Sequence, residues 1–172
     1  MLKSEKAGSL LSESYDTFPT SARVWVYQSN RAFTEEETRQ IREKATLFLS
    51  TWSAHGAGLK GRIDVIYGRF IRVAVDETTA GASGCSIDKL TAFIRRLERE
   101  YSVRMLDTMA IGYRDGDTIK TCSRDEFQRR VAAGEISEKT IVFDNSVTTK
   151  EEFDSRWEVP IGETGHRELL GG

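Results

Sequence analysis

The chain has 172 residues, of which 38% are hydrophobic and 30% charged, with a formal net charge of -2 and a pI near 5.8. This size suits one globular domain or two small ones packed together, and the charge gives no global attraction to nucleic acid or an anionic membrane. No apolar run is long enough to span a bilayer, and no signal-peptide core follows Met1. The two cysteines, Cys85 and Cys122, lie far apart, as in a reduced cytoplasmic protein with free thiols.

Residues 1–22 are rich in Ser, Lys and Glu without a sustained period, which predicts a loose arm with a short turn around Leu10-Leu11. Arg23 to Ser29 is a predicted strand, carried by β-branched and aromatic residues. Thr34-Glu35-Glu36-Glu37 is a capping box, since the Thr34 hydroxyl can accept from the amide three residues on while Glu37 reaches back. The helix it opens keeps Thr38, Ile41, Ala45, Phe48 and Trp52 in one stripe and should close near Ser53-Ala54-His55-Gly56, where glycine can turn left-handed. Arg62–Tyr67 and Arg69–Glu77 alternate apolar and polar residues, a hairpin turning near Tyr67-Gly68. A small, flexible loop over Thr78–Gly84 follows. A second amphipathic helix then opens at Cys85-Ser86-Ile87-Asp88, with Ile87, Leu90, Ile94, Leu97 and Tyr101 on one side. Ser102 to Asp107 reads as a further strand.

That order, strand-helix-strand-strand-helix-strand over residues 23–107, predicts a ferredoxin-like βαββαβ unit with the first and third strands central. A smaller ββαβα unit over residues 108–172 should pack on it. Its hairpin turns at Asp115-Gly116, Ser123-Arg124-Asp125-Glu126 is another capping box, and Thr149 caps the last helix. Phe127 and Val131 face inward on one short helix, which Gly134 closes. Thr140–Phe143 is a strand, and the last helix contains Phe153 and Trp157. The predicted fold class is α+β.

Several stretches resemble an uncharacterised family of small proteins, common in Bacteroidota, that carries the label "ABC transporter ATPase". The resemblance rests on Trp25-Val-Tyr-Gln-Ser-Asn30, Ser53-Ala-His-Gly56, Val75-Asp-Glu77, Ala82-Ser-Gly-Cys-Ser-Ile-Asp88 and Thr140-Ile-Val-Phe-Asp144, and covers most of residues 23–166. Such an ATPase needs Gly-x-x-x-x-Gly-Lys-Ser/Thr to cradle phosphates, and no such run exists here; no ATPase activity is expected. Residues 111–161 also resemble a GYF-like module, a class that binds peptides.

Three constellations are candidate sites. In the first, Cys85 at a helix start is a nucleophile whose pKa the unpaired amides and dipole would lower, with His55 as base and Asp76 or Glu77 orienting it. The plain alternative is a small buried cysteine beside an N-cap at Ser86. In the second, Ser83, Gly84, Ser86 and Asp88 of the same loop form a ligand site in which the amides of Gly84, Cys85, Ser86 and Ile87 face an anion. In the third, Trp25, Tyr27, Phe70 and Arg72 share the sheet face away from Val24, Val26, Ile71 and Val73, as on an RNA-binding sheet. The alternative is that the C-terminal unit buries that face, and the net charge argues against nucleic acid. No cofactor is implied. A metal site from His55, Cys85 and Asp76 lacks local ligand spacing, so none is expected. The leading expectation is a cytoplasmic module binding a small ligand or a protein. Thiol-dependent catalysis and single-stranded RNA binding are the alternatives.

Overall fold

The computed structural model describes residues 13–54 and 56–171. In chain order its elements are β1 (Arg23–Gln28), α1 (Glu35–Thr51), the two-residue strands β2 (Ser53–Ala54) and β3 (Ala57–Gly58), β4 (Lys60–Ile66), β5 (Phe70–Asp76) and α2 (Gly84–Tyr101). There follow β6 (Ile111–Asp115), β7 (Thr118–Cys122), α3 (Arg124–Ala132), β8 (Ile141–Phe143), α4 (Lys150–Arg156) and β9 (Glu158–Pro160). The fold is α+β, and its paired strands run antiparallel. No helix among the described residues is long and apolar enough to cross a membrane.

Local chemistry explains the element boundaries. The Glu37 amide donates to the Thr34 hydroxyl (3.1 Å) while the Thr34 amide donates to the Glu37 carboxylate (2.9 Å), so the predicted box forms in full. Ser123 caps α3 through the Glu126 amide alone, because the Glu126 carboxylate turns instead to Arg129 and Arg130. At the hairpin between β4 and β5, Tyr67 and Gly68 both take positive φ (53° and 58°), and the Arg69 amide closes the turn on the Ile66 carbonyl. Helix α1 ends differently from expectation. Trp52 leaves it in an extended conformation, and Gly56 (φ 80°) serves the turn between β2 and β3 instead.

Strand β5 lies between β1 and β4. One face of this sheet carries Ile63, Val65, Ile71, Val73 and Val75 against Ile41 and Ala45 of α1 and Leu90, Ile94 and Leu97 of α2. The other face carries Val24, Phe70 and Ala74 against Phe143, Val147, Phe153 and Trp157 of the C-terminal half. Tyr15 and Phe18 are buried in that second core, so residues 13–22 are not a loose arm. The predicted turn at Leu10-Leu11 lies outside the described residues. The C-terminal half adds a four-stranded sheet in the order β7-β6-β8-β9 with its own core around Phe127, Val142 and Ile161.

The expected fourth strand of the first sheet is missing. Ser102 closes α2 in the left-handed region (φ 52°), and the Glu98 carboxylate then accepts from the amides of Met105 (2.7 Å) and Leu106 (2.9 Å). With those amides held by a side chain, Ser102–Asp107 cannot ladder along β1. It meets the sheet only beyond the end of β1, where the Asn30 amide donates to the Arg104 carbonyl (3.0 Å).

Candidate functional site

The loop before α2 is held by its own polar groups. Ser83, not Ser86, is the N-cap. Its hydroxyl accepts from the Ser86 amide (3.2 Å), and the Ser86 hydroxyl accepts from the Ser83 amide (2.7 Å). Ser86 is fully buried, and its carbonyl accepts from the Trp52 indole (2.8 Å). Gly84, the first helical residue, and Asp88, past the first turn, are both exposed. The Glu77 carboxylate accepts from the Ala82 amide (2.9 Å), and Asp76 accepts from both the amide and the hydroxyl of Thr78 (3.0 and 2.7 Å). Both acids are therefore engaged in shaping the loop. Cys85, at the second helical position, is exposed rather than buried. His55, its expected base, lies outside the described residues. Among the described residues no group of three His, Cys, Asp or Glu side chains could hold a metal ion.

Two measurements follow from this geometry. Iodoacetamide should modify Cys85 readily in the native protein, because the thiol is exposed. Cys122 should react slowly, since burial pushes its thiol pKa up and depletes the thiolate; mass mapping showing equal labelling would contradict both placements. The hydrogen bonds from Thr78 hold the Asp76 carboxyl below its ordinary value of 3.8, with Lys60 (3.4 Å) adding to the effect. A carboxyl depressed in the folded state contributes stability above its unfolded pKa and loses it as pH falls through the folded one. Asp76→Asn should accordingly flatten the decline in unfolding free energy below about pH 4, and an unchanged acid limb in urea titrations would remove Asp76 from that role.

The aromatic constellation is split by the strand register. Trp25 sits opposite Val73 and Tyr27 opposite Ile71, which places both rings on the helix-covered face. Phe70 pairs with Gln28 and Arg72 with Val26, on the other face. Both strands alternate as expected, but β1 takes the opposite phase, so the four residues do not form one surface. Phe70 is fully buried against Phe143 and Trp157. Arg72 lies 3.3 Å over the Tyr15 ring and pairs with Asp64 (2.8 Å), leaving no stacking platform for a base.

The prominent concavity lies along the outer edge of β1, where the fourth strand is absent. It is a cleft of about 760 Å³. Its floor is β1, and its walls come from Met105–Ile111, Phe143–Thr148 and the segment around His166. Trp25 and Tyr27 line it, whereas Cys85, Asp76, Glu77, Ser83, Gly84, Ser86, Asp88, Phe70 and Arg72 do not. The Tyr27 phenol has no hydrogen-bond partner among the described residues, and burial pushes its pKa up to about 12, so it stays neutral. Met109 is 68% exposed on the rim.

The inner end of the cleft is braced by amides. Gln28, itself buried, donates to the Ala110 carbonyl (3.4 Å) and accepts from Asn145 (3.2 Å), whose own oxygen accepts from the Trp157 indole (2.9 Å). On the rim Arg124 is paired with Glu168 (2.9 Å). Sequence reasoning missed Val26, Gln28, Met105, Met109 and Asn145. Gln28, the polar residue that ends β1 after the run Val24–Tyr27, is the one local signal of this bracing. No protein-family model, no curated protein and no solved structure matches the chain.

Proposed function

We propose that the protein is a cytoplasmic binding module, without ATPase activity, whose ligand site is the cleft along β1. The observation that carries this reading is a preformed concavity of ligand-site size whose lining mixes apolar side chains such as Trp25, Met105 and Val147 with polar ones such as Gln28, Asn145 and Thr148. Its floor is rigid, because β1 pairs with β5 along its whole length and the Gln28–Asn145–Trp157 chain ties it to the C-terminal half. A binding surface held this way loses little freedom when occupied. The groups proposed for catalysis lie elsewhere: Cys85, Asp76 and Glu77 do not line the cleft, so binding here would not engage them.

The test is a titration of the isotopically labelled protein with 1-anilinonaphthalene-8-sulfonate, an aromatic anion that fluoresces in apolar surroundings. Amide shifts should concentrate at Trp25–Gln28, Met105–Ile111 and Phe143–Thr148, and the dye should brighten while the protein stays fully folded. Shifts scattered over the surface, or none, would defeat the assignment of the cleft as a binding site.

A further inference from the structure

We infer that the occupant of this cleft is an extended peptide segment, added as a strand to the free edge of β1; this rests on the cleft being the binding site. In β1 the Val24 amide donates outward to the Thr148 carbonyl (2.8 Å), and the Asn30 amide donates outward to Arg104. The Ser29 amide, by contrast, donates inward to Arg69 beside β5. Alternation along an antiparallel strand then turns the N–H and C=O of Val26 and Gln28 outward, with the C=O of Val24. None of these groups has a partner among the described residues. They line the cleft.

Such a row of alternating donors and acceptors matches a peptide backbone better than a compact small molecule. The protein already pairs its own extended chain with this edge at both ends, through Thr148–Thr149 and through Arg104, so the open stretch continues a line in use. Strand rise over Val24–Asn30 leaves room for roughly four residues between those two segments. Side chains of an added strand would alternate between two apolar layers. One contains Met105 and Leu106, which belong to the helix-side core, and the other contains Phe143 and Val147 of the opposite core. The occupant is therefore a short extended stretch with apolar side chains on both faces.

The experiment pans a display library of short linear peptides against the full chain and measures the synthetic winners by fluorescence anisotropy. Each winner is then N-methylated at one amide at a time. Strand addition requires a period of two: methylation should weaken binding about tenfold, the loss of one hydrogen bond, at alternate positions only. Val26→Pro removes an outward amide that no bond to β5 uses, and should weaken the same peptides to a similar extent. Methylation without alternation overturns the inference even where Val26→Pro fails to fold, since that scan uses the unaltered protein. A protein that binds the anilinonaphthalene probe in the cleft yet selects no peptide also overturns it, while leaving the cleft a binding site. Concentration-dependent dimerisation abolished by Val26→Pro would name a second copy of the chain as the occupant, against the inference.

Discussion

Phe70→Ala is expected to lower the free energy of unfolding by about 3–5 kcal/mol, the range for removing a fully buried phenylalanine. Its side chain has no exposed surface and lies 4.6 Å from the Phe143 ring and 5.0 Å from that of Trp157. Both neighbours come from the C-terminal half, so the cavity would open where that half meets the first sheet. Trp157 stacks in turn on Phe153 (4.5 Å), and rings packed at that density cannot close the gap without shifting α4. For a chain of this length the loss corresponds to a fall in Tm of roughly 6–20 °C. Leu47→Ala, at a site 71% exposed, should change stability by less than about 0.5 kcal/mol and serves as the comparison. A cost for Phe70→Ala below about 1.5 kcal/mol in urea unfolding would mean that the two halves do not share this core. The same burial separates stability from recognition: any effect of Phe70→Ala on ligand binding should follow from loss of fold.

Gly112→Ala should be the second most damaging change, at about 2–4 kcal/mol from overpacking and broken polar contacts. The reason is space. A Cβ there would lie 2.2 Å from the Gln28 side-chain oxygen and 3.4 Å from the Phe143 ring. Gln28 cannot swing aside freely, because its amide bridges Ala110 and Asn145 in a buried position. Displacing it would also unseat Asn145 from the Trp157 indole and reshape the inner end of the cleft. Gln28→Ala should be destabilising by itself, yet should relieve Gly112→Ala in the double variant, giving a coupling energy of roughly 1–2 kcal/mol. Strict additivity in that cycle would show that the glycine is not required by Gln28.

The sequence alone determined what depends on neighbours a few residues apart. Thr34, Ser123 and Thr149 were legible as caps because the amide each accepts from is three residues on. The turns at Tyr67-Gly68 and Gly116 were legible for the same reason, as were the strand and helix periods that make the chain α+β. Tertiary structure decided the rest. Alternation shows that Trp25 and Val24 face opposite ways but not which of them faces the helices; that phase is set by register against β5. The final strand, Glu158–Pro160, runs into a proline and becomes a strand only through its pairing with β8. Ser102–Asp107 fits a strand by its place in the element order, yet the Glu98 carboxylate claims the amides of Met105 and Leu106, seven and eight residues on. With those two amides held, the edge of β1 stays open and forms the floor of the cleft. A local pattern can state what a segment is able to pair with, but only the assembled chain decides which competing partner reaches it first in space.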